Sequence, residues 1–278
     1  MKLVKPSFEI IEQEAGKEGL LRHIERCGRT CYKSEDKITE DSAEKFVDMI
    51  INRGHTAMLE HGTVYLAIPI EWHYEDFDSK VVDNWYEYEC YEENPYSEVY
   101  IDYTYDLACI TTNYRVLLQN GWLDDLEYQC EPTEHHVKRV TVKFTCDRGV
   151  SHEFVRHRVF SFAQESTRYC NYSKDKFGNE CTFIEPCWFK DDTYYAPYES
   201  ALAVAEQAYF SLLDMGWVAQ QARAVLPNSL KTELIMTGTI DQWRGFFKLR
   251  DDKQHAHPQA YELAHPLHEE FIKRGYLE

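Results

Sequence analysis

Residues 71–106 carry twelve acidic side chains against one lysine, Lys80, together with eleven aromatic rings. Carboxylates at that density repel one another and keep to water, so this stretch cannot be the centre of a core. It reads as an acidic, aromatic-rich insertion between two core strands, at about residues 71–138, with a period-two run of Val99, Ile101, Tyr103 and Tyr105 predicting an extended strand within it. The whole chain of 278 residues is 44% apolar and long enough for one large domain or two small ones. A net charge of −18 repels nucleic-acid phosphates and anionic lipid headgroups, so neither nucleic acid nor membrane is an expected partner.

Nine cysteines, an odd number without a Cys-x-x-Cys pair, offer neither a disulfide framework nor a zinc knuckle and fit a reducing compartment. Glu9, Glu12 and Glu14 interrupt any apolar leader, and no run approaches the ~20 residues of a membrane span. The expected location is cytoplasmic.

Apolar spacing predicts helices and strands in alternation. Residues 41–54 form a helix capped by Asp41, with Ala43, Phe46, Val47, Ile50 and Ile51 on one face and Gly54 as its stop, and His55 just beyond. Residues 63–70, 140–146 and 181–184 read as strands, whereas 107–121, 149–160, 199–215, 220–225, 240–249 and 258–273 read as helices. Without repeats or low-complexity linkers, the expected fold class is α+β: a mixed sheet packed with helices in a single domain over 1–278.

Residues 156–169, RHRVFSFAQESTRY, break the acidic pattern. From 148 to 176, six basic residues (Arg148, Arg156, Arg158, Arg168, Lys174, Lys176) face only Glu153, Glu165 and Asp175. Arginine's planar fork binds phosphate bidentately, and Ser161, Ser166 and Thr167 add hydroxyls at an expected helix end, where backbone amides favour anions. A small phosphorylated ligand is implied. The alternative is a surface cluster paired with the abundant carboxylates. On a helix Arg156 and Arg158 would lie about 200° apart, so they would serve two ligands, or one ligand and a subunit contact.

The spacing Arg156-His157-Arg158, seven residues, Ser166, then Arg168-Tyr169 resembles the signature of the flavin-dependent thymidylate synthases. Gly54-His55 with Glu60-His61, Arg223 before Leu226-Pro227, and Leu249-Arg250 before His255-Ala256 are similar to further segments of that family. The resemblance covers most of the chain outside the acidic insertion. It implies reductive methylation of dUMP to dTMP, with carbon from 5,10-methylenetetrahydrofolate and hydride from NADPH through FAD, in a homotetramer whose sites draw on several subunits. It also implies roles residue by residue. Glu153, Arg156, Gln164, Glu165, Ser166, Thr167, Arg168 and Arg223 would contact dUMP, with Arg250 against the uracil ring as the catalytic cation. His55, Arg156, His157, Arg158, Gln164, Thr239, Asp241 and Gly245 would contact FAD. The chain departs from the common pattern at Ala163-Gln164, where many members have Asn-Glu, at Glu153 for Gln, and at His257 for Gln. Asp241 and Gly245 stand where some members carry a flavin-touching arginine and asparagine.

Other chemistries are weaker. Ser166 has no His-Asp partner nearby in sequence, so a phosphate or base contact suits it better than nucleophilic attack. His255, His257, His265 and His268 lack a cysteine or carboxylate at a familiar metal spacing and read as solvated or interface residues, with no metal expected. RNA stacking would need a basic groove beside the aromatic insertion, which is acidic. A noncatalytic nucleotide-binding descendant of the family that kept the arginine pocket but lost flavin is the rival reading; flavin absorbance of the purified protein would count against that loss. Cys170, beside Arg168, is a packing residue rather than a nucleophile. Cys170→Ala should therefore leave steady-state dTMP formation largely intact, and a dead variant would make the thiol chemical.

Overall fold

The computed structural model describes residues 1–70, 72–76, 79–82, 85–174, 177–189 and 195–278. In chain order its first elements are β1 (Lys2–Val4), β2 (Ser7–Ile11), α1 (Gly16–Tyr32), α2 (Ala43–Asn52), β3 (Thr63–Pro69), β4 (Trp72–Asp76), β5 (Ser79–Val82), α3 (Trp85–Glu92), β6 (Glu98–Asp102), β7 (Leu107–Asn113) and α4 (Tyr114–Asn120). There follow β8 (Arg139–Asp147), α5 (Arg148–Phe154), β9 (Ser161–Gln164), β10 (Thr182–Ile184), α6 (Tyr195–Asp214), α7 (Ala219–Ala222), β11 (Lys231–Thr239), α8 (Ile240–Arg250) and α9 (Pro258–Lys273). Helices and strands are mixed, as expected of an α+β chain, but among the described residues the strands fall into four separate sheets. The chain divides into two compact units: Met1–Ile11 with Gly28–Asp36 and Val142–Glu278, and Glu12–Cys27 with Lys37–Thr141.

The second of these units is built on the antiparallel sheet β3-β7-β6, in which Thr63 pairs with Asn113 and Pro69 with Leu107. Here four expectations fail. Residues 107–121 are a strand followed by a helix, because seven consecutive pairs with β3 hold 107–113 extended; Asn113 then accepts from the Val116 N–H at 3.2 Å and starts α4. Gly121, at φ 78°, ends α4 in the left-handed conformation that its missing side chain permits. The strand expected to reach Tyr105 stops at Asp102, whose carboxylate accepts from the Thr104 N–H at 2.9 Å and turns the chain. Nor is the described part of the acidic segment a solvated arm: Tyr88 and Tyr91 are buried with Leu66, Ile110 and Leu117 in the unit's core. Glu71, Phe77, Asp78, Asp83 and Asn84 lie outside the described residues. In α2 the cap position is Ser42 rather than Asp41, and its hydroxyl donates to Glu25 at 2.9 Å instead of capping the helix.

The first unit contains the sheet β2-β8-β11-β9 and the parallel pair β1-β10. β11 was not expected as a strand, nor was β9; they pair antiparallel from Leu234 with Gln164 to Thr237 with Ser161. Seven successive residues of β11, Thr232 to Gly238, are buried, so neither a period of two nor one of 3.6 marks it in sequence. Phe144, Phe154, Trp243, Phe246 and Phe271 pack with Phe160 in a continuous aromatic core, Phe160 meeting Trp243 at 4.7 Å and Phe154 meeting Phe246 at 5.0 Å between ring centres. Cys170 belongs to a second cluster with Cys181, Phe183 and Leu230, the packing role expected of it.

Gly238 sits under the Phe160 ring. A Cβ there would lie 2.5 Å from Phe160 Cε1, closer than side-chain carbons approach. Gly238→Ala should cost about 1–3 kcal/mol of stability through overpacking, read as a lower urea midpoint. In a Phe160→Leu background the added cost should shrink, because the two changes share one contact.

Candidate active site

The arginine motif lies at the end of a short helix. Asp147 caps α5 by accepting from the Val150 N–H at 2.7 Å, and the Val155 N–H closes it after its seven residues. Residues 149–160 are therefore not one helix. Backbone bonds from His157 N to Phe154 O (3.1 Å) and from Phe160 N to His157 O (3.2 Å) make a compact turn, pinned at both ends by buried Phe154 and Phe160. Arg156 and Arg158 project from this turn, and the 200° separation expected of a helix does not apply. Both are exposed, and among the described residues neither forms an ion pair. The expected alternative, a surface cluster neutralised by carboxylates, does not describe them.

Arg250, the last residue of α8, is held by the same turn. Its Nη1 donates to Glu153 Oε2 at 2.6 Å, its Nη2 to the Glu153 carbonyl at 2.9 Å, and its Nε to His157 Nε2 at 3.1 Å. Three of its five N–H donors are thus committed, leaving two for a ligand. His157 must accept, so its ring is neutral with the proton on Nδ1. Burial, then the Arg250 charge, pushes its pKa from 6.5 to about 4. Burial also lowers the Arg250 pKa, with Glu153 opposing and Arg156 reinforcing the shift, which places the Arg156 charge within reach of Arg250. Glu153, Arg156, His157 and Arg250 are thus brought together.

Ser166, Thr167 and Arg168 follow β9 in a loop, not at a helix end. The Ser166 N–H donates to Cys31 O at 3.1 Å, and Arg223 Nη1 donates to Thr167 Oγ1 at 2.9 Å, joining two expected nucleotide residues. Arg168 is exposed with its guanidinium over the Tyr169 ring, 5.6 Å from its centre. Gln164 donates to Ser151 Oγ at 2.9 Å and Thr232 Oγ1 at 3.3 Å. Glu165 is 2% exposed and accepts from Lys231 Nζ at 2.9 Å.

Sequence reasoning missed the network around Glu165. Glu233 accepts from Lys231 at 2.8 Å, Lys143 at 2.8 Å and Lys33 at 2.5 Å. Burial opposes the charge of both Glu233 and Lys231, yet the opposite charges win: Glu233 is held well below the usual carboxylate range and Lys231 above that of lysine. The alternation Lys231-x-Glu233 on a strand was the available signal.

Among the expected flavin residues, Thr239 spends its side chain on a capping box with Gln242 at the start of α8, and Asp241 pairs with Arg244. A Cβ at Gly245 would meet nothing within 4 Å. His55 belongs to the other unit, at the start of the 3-10 turn Thr56–His61. His265 and His268 are not simply solvated: their Nδ1 atoms lie 2.9 and 2.6 Å from the two oxygens of Asp251, tying α9 to the end of α8. No group of three metal-binding side chains occurs among the described residues.

The family model described as thymidylate synthase complementing protein, Thy1, matches residues 111–274. The chain belongs to this family. A flavin-dependent thymidylate synthase of Geobacter sulfurreducens is 35% identical over 103 residues, 37% of this chain and 43% of the relative. One of Pyrococcus furiosus is 32% identical over 130 residues, 46% of this chain and 52% of the relative. The chain spans about half the length of the curated relatives it matches. A solved UMP/dUMP methylase, PolB of Streptomyces cacaoi bound with 5-Br dUMP, aligns over 98% of this chain and 93% of its own at 16% identity and a TM-score of 0.45.

The neutral His157 makes this member of the Thy1 family sensitive to acid. Below pH 6.5 the unfolded chain takes up a proton on His157 that the folded chain refuses until about pH 4. Stability should therefore fall as pH drops through this window. His157→Gln should flatten that part of the pH dependence of the urea midpoint.

Proposed function

We propose that the chain catalyses reductive methylation of dUMP to dTMP, taking carbon from 5,10-methylenetetrahydrofolate and hydride from NADPH by way of FAD. Residues 1–278 act as one catalytic domain with an insertion at about 71–138, in a cytoplasmic homotetramer. The observation that carries the reading is the clamp on Arg250: a guanidinium fixed by Glu153 and a neutral His157, with two N–H donors left over, in a chain of the Thy1 family.

Arg250 stabilises negative charge that develops on the pyrimidine N3 and carbonyl edge as the ring is alkylated. It is permanently protonated, so no proton need be delivered, and its geometry is fixed beforehand by three hydrogen bonds. Thr167, Arg223, Ser166 and Arg168 hold the nucleotide, with Gln164 and Glu165 shaping their loop from behind. Arg156 and Arg158, exposed and without carboxylate partners, suit the diphosphate of FAD. His157 would face the same cofactor, and Thr239, Asp241 and Gly245 would border it; the family resemblance gives His55 a flavin contact as well. When bound, FAD supplies the hydride transfer that no protein side chain can perform.

The pairing of Asp241 with Arg244 and the commitment of Thr239 to a helix cap favour the second reading, a nucleotide-binding protein without catalysis. An anaerobic experiment separates the two: NADPH-reduced, flavin-loaded protein should be reoxidised by dUMP with methylenetetrahydrofolate and yield dTMP. Arg250→Ala should lower kcat by about 10²–10³-fold, as the loss of a preorganised donor does elsewhere. Flavin-loaded protein that makes no dTMP would leave only the binding role.

A further inference from the structure

Arg148 opens α5 and is the one arginine of the basic island to which the family resemblance attaches no role. Its backbone is fixed: its N–H is shared between Asn228 O at 2.8 Å and Leu230 O at 3.2 Å, and its carbonyl accepts from Ser151 Oγ at 2.9 Å. One nitrogen of its guanidinium is unsatisfied. Nη1 is shielded from solvent and has no hydrogen-bond partner. A buried charged donor left unpaired is costly, and such an exception in a native structure calls for a partner, an anion being the one a guanidinium suits.

Arg148 also lines a cavity of about 260 Å³ together with Arg223, Thr167, Pro227 and Asn228. Because Thr167 Oγ1 accepts from Arg223, the hydroxyl proton of Thr167 remains to be donated. Neither Arg148 nor Arg223 has an ion-pair partner among the described residues, although the chain holds 48 carboxylates against 30 lysines and arginines. The nearest carboxylate in sequence, Asp147, is spent on the N–H groups of Gly149 and Val150 and on Gln259. Two arginines and a threonine lining one cavity, with no carboxylate among its lining residues, fit a doubly charged tetrahedral anion.

We propose that Arg148 is a phosphate-binding residue, closing with Arg223 and Thr167 on the phosphate monoester of the nucleotide substrate. This rests on the nucleotide reading above. It divides the labour of the two clusters: Arg250 addresses the base, and Arg148 the charge that distinguishes a nucleotide from a nucleoside.

The test is calorimetric titration of the full chain with dUMP, deoxyuridine and inorganic phosphate. Arg148→Gln should weaken dUMP and phosphate about tenfold or more, the loss of one charge-assisted contact, while deoxyuridine affinity stays within about twofold. Arg148→Lys, which keeps the charge and loses the fork, should fall between. A folded Arg148→Gln protein that binds dUMP as wild type does would overturn the role of Arg148 and leave the proposed reaction standing. Protein that makes no dTMP yet binds phosphate in an Arg148-dependent way would remove the reaction and keep the cradle. If wild type binds neither dUMP nor phosphate, the cradle is wrong. Should Arg148→Gln not fold, phenylglyoxal labelling of wild type decides: phosphate should protect Arg148, and unprotected labelling would count against it.

Discussion

The hydrogen bond from Arg250 to a neutral His157 is the interaction on which the candidate site depends. Glu153 alone could hold the guanidinium in many orientations, since a carboxylate accepts from a wide range of directions. The third bond, from Nε to the imidazole, fixes the plane of the fork, and it exists only while His157 is uncharged. That neutrality comes from burial among Phe160 and Phe246, rings of the same aromatic core that holds α8 in place. The apolar core thus sets the protonation state of a polar site, and so the direction in which a positive charge is presented.

Charge in the first unit is arranged by the same logic of isolation. The island of six basic residues sits in a chain with an excess of carboxylates, where solvent-exposed arginines would ordinarily find partners. Half-buried lysines do find them: Lys33, Lys143 and Lys231 surround Glu233, and Lys231 also reaches Glu165. The carboxylates nearest the arginines are committed elsewhere, Asp147 to a helix cap and Glu153 to Arg250. Arg148, Arg156, Arg158 and Arg223 are left to external anions, two of them lining one cavity. Lys176, counted in the island, lies outside the described residues.

Legibility in the sequence followed how regularly each segment is buried. α9 ran from Pro258 to Lys273 as read, because proline opens it and an apolar stripe continues to its end. β3 and β8 alternated enough to be recognised. α1 was missed although Leu20, Ile24 and Cys27 form a stripe, since the buried His23 and Glu25 break the apolar pattern around it. β7 was mistaken for helix because its residues are buried on both faces, which erases the alternation that marks a strand. The error at 149–160 had a different origin: the helix ends where Val155 turns, and nothing local in that sequence announces a stop.

The sequence by itself determined that an anionic chain concentrates arginines and hydroxyls between residues 148 and 176, and the spacing of those residues carried the family. It did so because residue type and interval survive in any conformation. Only the tertiary structure decided which cations stay unpaired, that His157 is neutral, and that Arg148, Thr167 and Arg223, far apart along the chain, border one cavity. Ionisation and pairing depend on burial and on distances of a few ångströms, and those are set by packing rather than by order along the chain.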